Sequence, residues 1–106
     1  MMNIAMELDR YENIRMDQDV LFFRLGLPGL VCFHGNHYNI KKRMTEEQIE
    51  ELKMDAAFYR ISSNCYVNLK RISEIENDTI YFGDKGPEAK CLPISWRNQH
   101  ALKSLL

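Results

Sequence analysis

Residues 58–71 read Phe58-Tyr59-Arg60-Ile61-Ser62-Ser63-Asn64-Cys65-Tyr66-Val67-Asn68-Leu69-Lys70-Arg71, and this stretch decides the fold class. Aromatic and β-branched residues crowd both ends of it, as suits a pleated, half-buried surface. Between them Ser62, Ser63 and Asn64 carry short polar side chains that bond to nearby backbone and favour turns. The pattern predicts strand, polar turn, strand, with Asn68 interrupting the second apolar run. Ile72 and Ile75 continue the pattern, and residues 79–82 make a further strand after the turn residues Asn77-Asp78. Residues 83–87 form another turn, and residues 90–94 pair back on that strand. There Pro93, which has no N–H to give a ladder, puts the end of the run at an edge or bend.

The same reading extends upstream. Val20-Leu21-Phe22-Phe23 is a continuous apolar run, as expected of a strand buried on both faces. Residues 4–8 alternate apolar and polar, and Ile14 with Met16 supports a second short strand. Gly26-Leu27-Pro28-Gly29 is a turn by composition. Residues 30–33 and 38–43 flank Gly35-Asn36-His37 as a hairpin. Helical signals occur twice. Thr45 with Gln48 forms a capping box ahead of a short helix whose Ile49, Leu52 and Met54 face the core. Ser95 is an N-cap for residues 96–106, with Ala101, Leu102 and Leu105 at helical spacing. Trp96, near that helix start, is expected in the core, with stacking as the alternative reading. The fold class is therefore mainly β, with one short internal helix and one short C-terminal helix.

The chain has 106 residues, with 14 Lys and Arg against 15 Asp and Glu, a net charge of −1 and 45% apolar residues. That describes a single domain spanning residues 1–106, with one core that needs no disulfide or metal. Cys32, Cys65 and Cys91 lie far apart with no C-x-x-C pair, and read as buried thiols in a reducing cytoplasm. The N-terminus carries acids where a signal peptide carries a basic region and a long apolar stretch, so cytoplasmic location is expected. His34 and His37 are three residues apart without a third ligand, so no metal site is expected. Phosphate-cradling glycine loops, nucleophile elbows and H-E-x-x-H are missing, which disfavours catalysis, a cofactor and a small-molecule substrate.

Two segments carry more donors than strands or helices require: residues 60–71 and Ser95-Trp96-Arg97-Asn98-Gln99-His100. Ser, Asn and Arg reach phosphate oxygens and base edges, Arg by forking onto guanine and Asn onto adenine. Order and spacing across Phe58-Tyr59-Arg60-Ile61-Ser62-Ser63-Asn64-Cys65-Tyr66-Val67-Asn68, Ile72 with Ile75, and Leu92-Pro93-Ile94-Ser95-Trp96-Arg97-Asn98 closely resemble the LytTR DNA-binding domain family. Residues 14–23 are similar to that family's opening strands, and residues 45–52 to its short helix. The resemblance covers roughly residues 10–106.

It implies a bacterial transcription regulator, an elongated stack of small, mostly antiparallel sheets whose loops enter successive major grooves of double-stranded promoter DNA at direct repeats. Carried over position by position, the base-reading residues are Ser63 and Arg97. Ser62, Asn64 and Asn98 flank them as phosphate or base contacts. Two departures stand out. Ser62 and Ser63 replace a His and a larger polar residue, and the family's third contacting loop, here Gly26-Leu27-Pro28-Gly29-Leu30, has no donor side chain. His34 and Lys41 then become candidate phosphate contacts in its place. The chain begins at Met1 with too few residues ahead of the domain for a receiver, which favours a free-standing regulator. A homodimer on direct repeats and an inhibitory membrane protein are the partners the resemblance leads one to expect.

Residues 1–56 hold seven basic and ten acidic side chains, a charge of −3, whereas residues 57–106 hold seven and five, a charge of +2. The near-zero total therefore averages unlike halves, and implies modest non-specific attraction with specific contacts carrying more of the binding. The alternative left open is a protein-interaction module that keeps the fold, has lost DNA recognition, and uses the acidic helix of Glu46, Glu47, Glu50 and Glu51 as its contact surface.

Overall fold

The computed structural model describes residues 16–83 and 89–106. A single helical turn, α1 (Met16–Asp19), leads into β1 (Phe22–Leu25), β2 (Leu30–His34) and β3 (Asn39–Arg43). Helix α2 (Glu46–Lys53) follows, then β4 (Phe58–Ser62), β5 (Cys65–Asn68), a 3-10 turn (Leu69–Arg71), β6 (Ile72–Glu76), β7 (Thr79–Phe82), β8 (Cys91–Pro93) and helix α3 (Trp96–Leu105). The strands form a five-stranded sheet in the order β3-β2-β1-β5-β4 and a three-stranded sheet in the order β6-β7-β8, antiparallel throughout. The body measures 44 × 30 × 21 Å, an elongated stack.

Period-2 alternation divides the larger sheet into two working faces. On one face Phe23, Val31, Phe33, Phe58 and Tyr66 form a core with Val20, covered by Ile49 and Leu52 of α2. Phe23 is its centre, stacked on Tyr66 at 4.9 Å and edge-on to Phe58 at 5.0 Å. On the other face Leu21, Phe22, Cys65 and Val67 meet Ile80, Phe82 and Leu92 of the smaller sheet and Leu102 of α3. Phe22 and Phe82 join the two sheets at 5.5 Å between ring centroids. Each buried Phe or Leu removes enough apolar surface from water to stabilise the fold by about 1.5–3 kcal/mol.

Asn68, the expected interruption of β5, is fully buried and remains in the strand. Its amide donates to the Val20 carbonyl at 2.8 Å while its Oδ1 accepts from the Lys70 N–H at 3.0 Å, so both halves of the side chain are used. It ties the chain before β1 to the 3-10 turn after β5. The capping box forms as expected, with the Thr45 hydroxyl accepting from Gln48 N and Gln48 Oε1 accepting from Thr45 N. The β2–β3 hairpin closes at Gly35, where a Cβ would lie 2.1 Å from the Tyr38 ring, so any side chain there would have to displace that ring. Asn77 and Asp78, both at positive φ, make the two-residue turn between β6 and β7 whose twist suits a hairpin. Pro93 lies on β8, an edge strand.

Several expectations are corrected. Met16 lies in the α1 turn instead of a strand, because Asp17-Gln18-Asp19 offers no apolar alternation to bury; Ile14, the strand at 4–8 and most of the turn at 83–87 lie outside the described residues. Met54 is 83% exposed, since it is the C-cap of α2 and has left the inward face. Leu105, at the end of α3, is exposed, leaving Leu102 as the fully buried anchor of that helix. Trp96 is 72% exposed, not in the core. Among the cysteines Cys65 is buried, but Cys32 is half-buried and Cys91 exposed. In β8, Leu92 faces inward, so its neighbour Cys91 must face out.

Candidate nucleic-acid interface

β4 and β5 are joined by two residues, Ser63 and Asn64, because Ser62 pairs with Cys65. Ile61 is an extra residue between the pairs Arg60–Tyr66 and Ser62–Cys65, a bulge that bends the strand end and re-aims the turn. Local bonds fix that turn. Arg60 Nε donates to the Ser62 carbonyl at 3.1 Å, and the Ser62 hydroxyl donates to Asn64 Oδ1 at 3.1 Å. Ser63 stands exposed at its tip.

A second segment abuts this turn. The Leu25 N–H donates to the Asn64 carbonyl at 2.8 Å, so the β1–β2 loop leaves the sheet beside it. Gly29, at φ 77°, lets that loop return, and its carbonyl accepts from Met44 N at 2.8 Å. The loop carries Leu27, 74% exposed.

The third segment is the start of α3. Ser95 caps the helix by accepting from Asn98 N at 3.2 Å, and Asn98 Nδ2 donates to the Ile61 carbonyl at 2.7 Å. That bond ties the first turn of α3 to the bulge before Ser62. Farther along, Gln99 bonds the Asp78 carboxylate and Ile94 N donates to the Asp78 carbonyl at 2.9 Å, so α3 is seated on the β6–β7 turn as well. Trp96 and Arg97 remain exposed on the first turn. The indole meets the His100 ring edge-on at 4.4 Å, as residues four apart on one helix face can.

One edge therefore gathers Ser62, Ser63, Asn64, Arg97 and Asn98, together with the β1–β2 loop. The side-chain amide of Asn98 is already committed to Ile61, so within this geometry it positions α3. Lys41 lies one step back, in a row across the larger sheet in which Lys41 pairs with Cys32, Cys32 with Arg24 and Arg24 with Cys65. Lys41 and Arg24 are exposed on one face, and Arg43 two residues on continues it. Helix α2, with Glu46, Glu47, Glu50 and Glu51 exposed, covers the opposite face. Arg24, Lys41 and Arg43 therefore lie on the sheet face opposite the four exposed acids of α2.

His34 is not brought to this edge. It ends β2 four residues from Leu30, about 13 Å away along a strand, and stacks on Phe22 at 4.3 Å. Burial first, then the charges of Lys90 and Arg24, push its pKa below the ordinary 6.5, against a hydrogen bond to the Asn39 side chain. It is therefore neutral near pH 7, without the charge that attracts phosphate. Lys90 is itself engaged, donating to the Tyr38 carbonyl at 2.9 Å and Asn39 Oδ1 at 2.7 Å, and burial lowers its pKa. Burial raises the pKa of the Cys65 thiol, with Arg24 opposing, so it stays protonated. Cys32 and Cys65 flank Arg24 two strand spacings apart, roughly 9.5 Å, too far for a disulfide. Among the described residues no cluster of His, Cys, Asp or Glu could hold a metal, and no helix is long and apolar enough to cross a membrane.

Sequence reasoning gave no individual role at this edge to Arg24, Arg60 or Leu27, and placed Trp96 in the core. Arg24 had a signal, a cation directly after the apolar run of β1, since a strand residue of that kind must face solvent. For Leu27 and Trp96 the signal pointed the wrong way, because apolar character reads as core.

The model of the LytTr DNA-binding domain matches residues 9–106. Among solved structures, the chain is similar to the LytTr DNA-binding domain of a protein from Bacillus cereus described as a methyl-accepting/DNA response regulator. That likeness has a TM-score of 0.54 at 14% identity, covering 84% of this chain and 82% of the other, and it concerns the fold. None of the curated proteins matches the chain.

Proposed function

Because the chain belongs to the LytTr DNA-binding domain family over residues 9–106, and so is a DNA-binding domain of transcription regulation, we propose that it reads promoter direct repeats through the edge formed by residues 26–29, 62–64 and 95–98. The observation that carries this reading is the convergence of these segments, held by the Leu25–Asn64 and Asn98–Ile61 hydrogen bonds. Preorganised loops lose little freedom on binding, so their contacts are available for recognition.

Arg97 is the base reader, its guanidinium forking onto guanine, and Ser63 at the turn tip makes the neighbouring contact. Ser62 and Asn64 shape the turn and reach phosphate through their remaining lone pairs and donors. Lys41 meets phosphate from the basic face, joined there by Arg24 and Arg43. His34 takes no part as a cation. Two copies bind side by side on repeated sequence, and a membrane protein that sequesters the chain would complete the regulation. A pull-down from native membranes that recovers no integral membrane protein would remove that last element.

Titrating labelled duplexes at several salt concentrations tests the core of the proposal. Affinity should fall steeply with salt as phosphate contacts release counterions. Lys41→Ala should lower the slope and weaken all sequences alike, whereas Arg97→Ala should relax discrimination at one base pair. Absent or salt-independent binding to every genomic fragment would sink the proposal.

A further inference from the structure

The two largest apolar exposures on the interface are Trp96 at 72% and Leu27 at 74%. Such side chains are ordinarily withdrawn from water, and each is held out by the local structure. Trp96 is the first residue of α3, with Ser95 as cap and Asn98 pinned to Ile61, so the helix cannot roll to bury the indole without losing Gln99 and Leu102 from the inward face. His100 supports the ring from behind, edge-on at 4.4 Å. Leu27 stands at the tip of the β1–β2 loop, whose ends are fixed by Leu30 N donating to the Leu27 carbonyl at 2.9 Å and by the Leu25–Asn64 bond.

The two residues bracket the polar turn. Leu27 lies two residues from Leu25, which bonds Asn64; Trp96 lies two residues from Asn98, which bonds Ile61. The strip therefore runs apolar, polar, apolar, with Arg97 beside Trp96. In the major groove the one apolar group a base presents is the C5-methyl of thymine. A loop with no donor side chain can still read sequence if it meets that methyl.

We infer that Trp96 and Leu27 are specificity-determining contacts, each packing on a thymine methyl in the major groove on either side of the bases met by Ser63 and Arg97. This rests on the DNA-binding reading above and adds to it the chemistry selected at two further base pairs. It also says how the β1–β2 loop takes its part in that edge, through apolar contact in place of a hydrogen bond.

The test uses a duplex selected from a randomised library by the whole chain, and copies in which each thymine in turn is replaced by deoxyuridine, which lacks only the methyl. Deoxyuridine should weaken wild-type binding about three- to tenfold at one position facing each residue, in line with the burial of one methyl group. Trp96→Ala should abolish the effect at one position and Leu27→Ala at the other, with melting temperatures unchanged because both side chains are exposed. Trp96→Phe should keep part of the effect. The chain has a single tryptophan, so its emission should become shielded from acrylamide when the duplex binds. An enriched duplex with no methyl-sensitive position, or one whose sensitivity persists in both alanine variants, overturns this inference and leaves DNA binding standing. A change in oligomeric state in Trp96→Ala with the methyl pattern intact assigns the indole to a copy-to-copy contact and overturns it too. If no duplex is enriched, the DNA-binding reading itself falls.

Discussion

Strand β5 ends on a polar residue, Asn68, and is entered from a polar turn, and the two are used in opposite ways. Asn68 is fully buried, its amide and carbonyl oxygen both spent inside the protein on Val20 and Lys70. At the other end Ser63 and Asn64 are exposed, bonded mainly within their own turn. In sequence both look like breaks in an apolar run. The difference is burial: a polar group shut away from water must find partners, so Asn68 holds structure, whereas the exposed turn has donors to offer a ligand.

Breaking the buried end should have the largest effect. Asn68→Ala leaves the buried Val20 carbonyl without its partner and removes the part-buried bond from Lys70 N, and should lower stability by about 2–3 kcal/mol. Denaturant titration checks this, and the folded variant should keep the sequence preference of the parent. The exposed end should behave in reverse. Arg97→Ala should leave the melting temperature alone while costing about 1–3 kcal/mol of discrimination at one base pair, measured by competition between duplexes differing there. Asn98→Ala is the intermediate case. It removes a part-buried bond worth about 1 kcal/mol and frees the first turn of α3, so a modest loss of stability should accompany weakened binding to all sequences.

The smallest effect concerns His34, at the end of β2 far from the reading edge. Its folded pKa lies below 6.5, chiefly through burial and then through Lys90 and Arg24. As pH falls through the unfolded value the unfolded chain takes up the proton first, so stability is fully present above that value and is lost on acidification. His34→Gln should flatten the stability profile between about pH 7.5 and about pH 5 relative to the parent, since the variant carries no proton to gain.

The legible part of this fold is the part written in local chemistry. Thr45 with Gln48, Ser95 as N-cap, Pro93 at an edge and the Asn77-Asp78 turn each follow from what one short segment can do with its own backbone. The segments that meet at the interface were legible as motifs. Their meeting was not, because it depends on the Ile61 bulge and on bonds between residues 37 apart in the chain. Trp96 shows the limit most plainly. Its type says core, but helical phase places Gln99 and Leu102 inward and carries Trp96 round to the face of His100. Cys91 and Met54 went the same way, one displaced by strand alternation and the other by the end of its helix.

The central claim is that the edge of residues 26–29, 62–64 and 95–98 is where DNA binds. Backbone amide chemical shifts, followed while a selected duplex is added to the whole chain, test it most directly. The account predicts that the largest changes map to those segments, with smaller ones at Arg24, Lys41 and Arg43 and none on the acidic face of α2. Changes concentrated on Glu46–Lys53, or on the surface around His34 and Lys90, would contradict it.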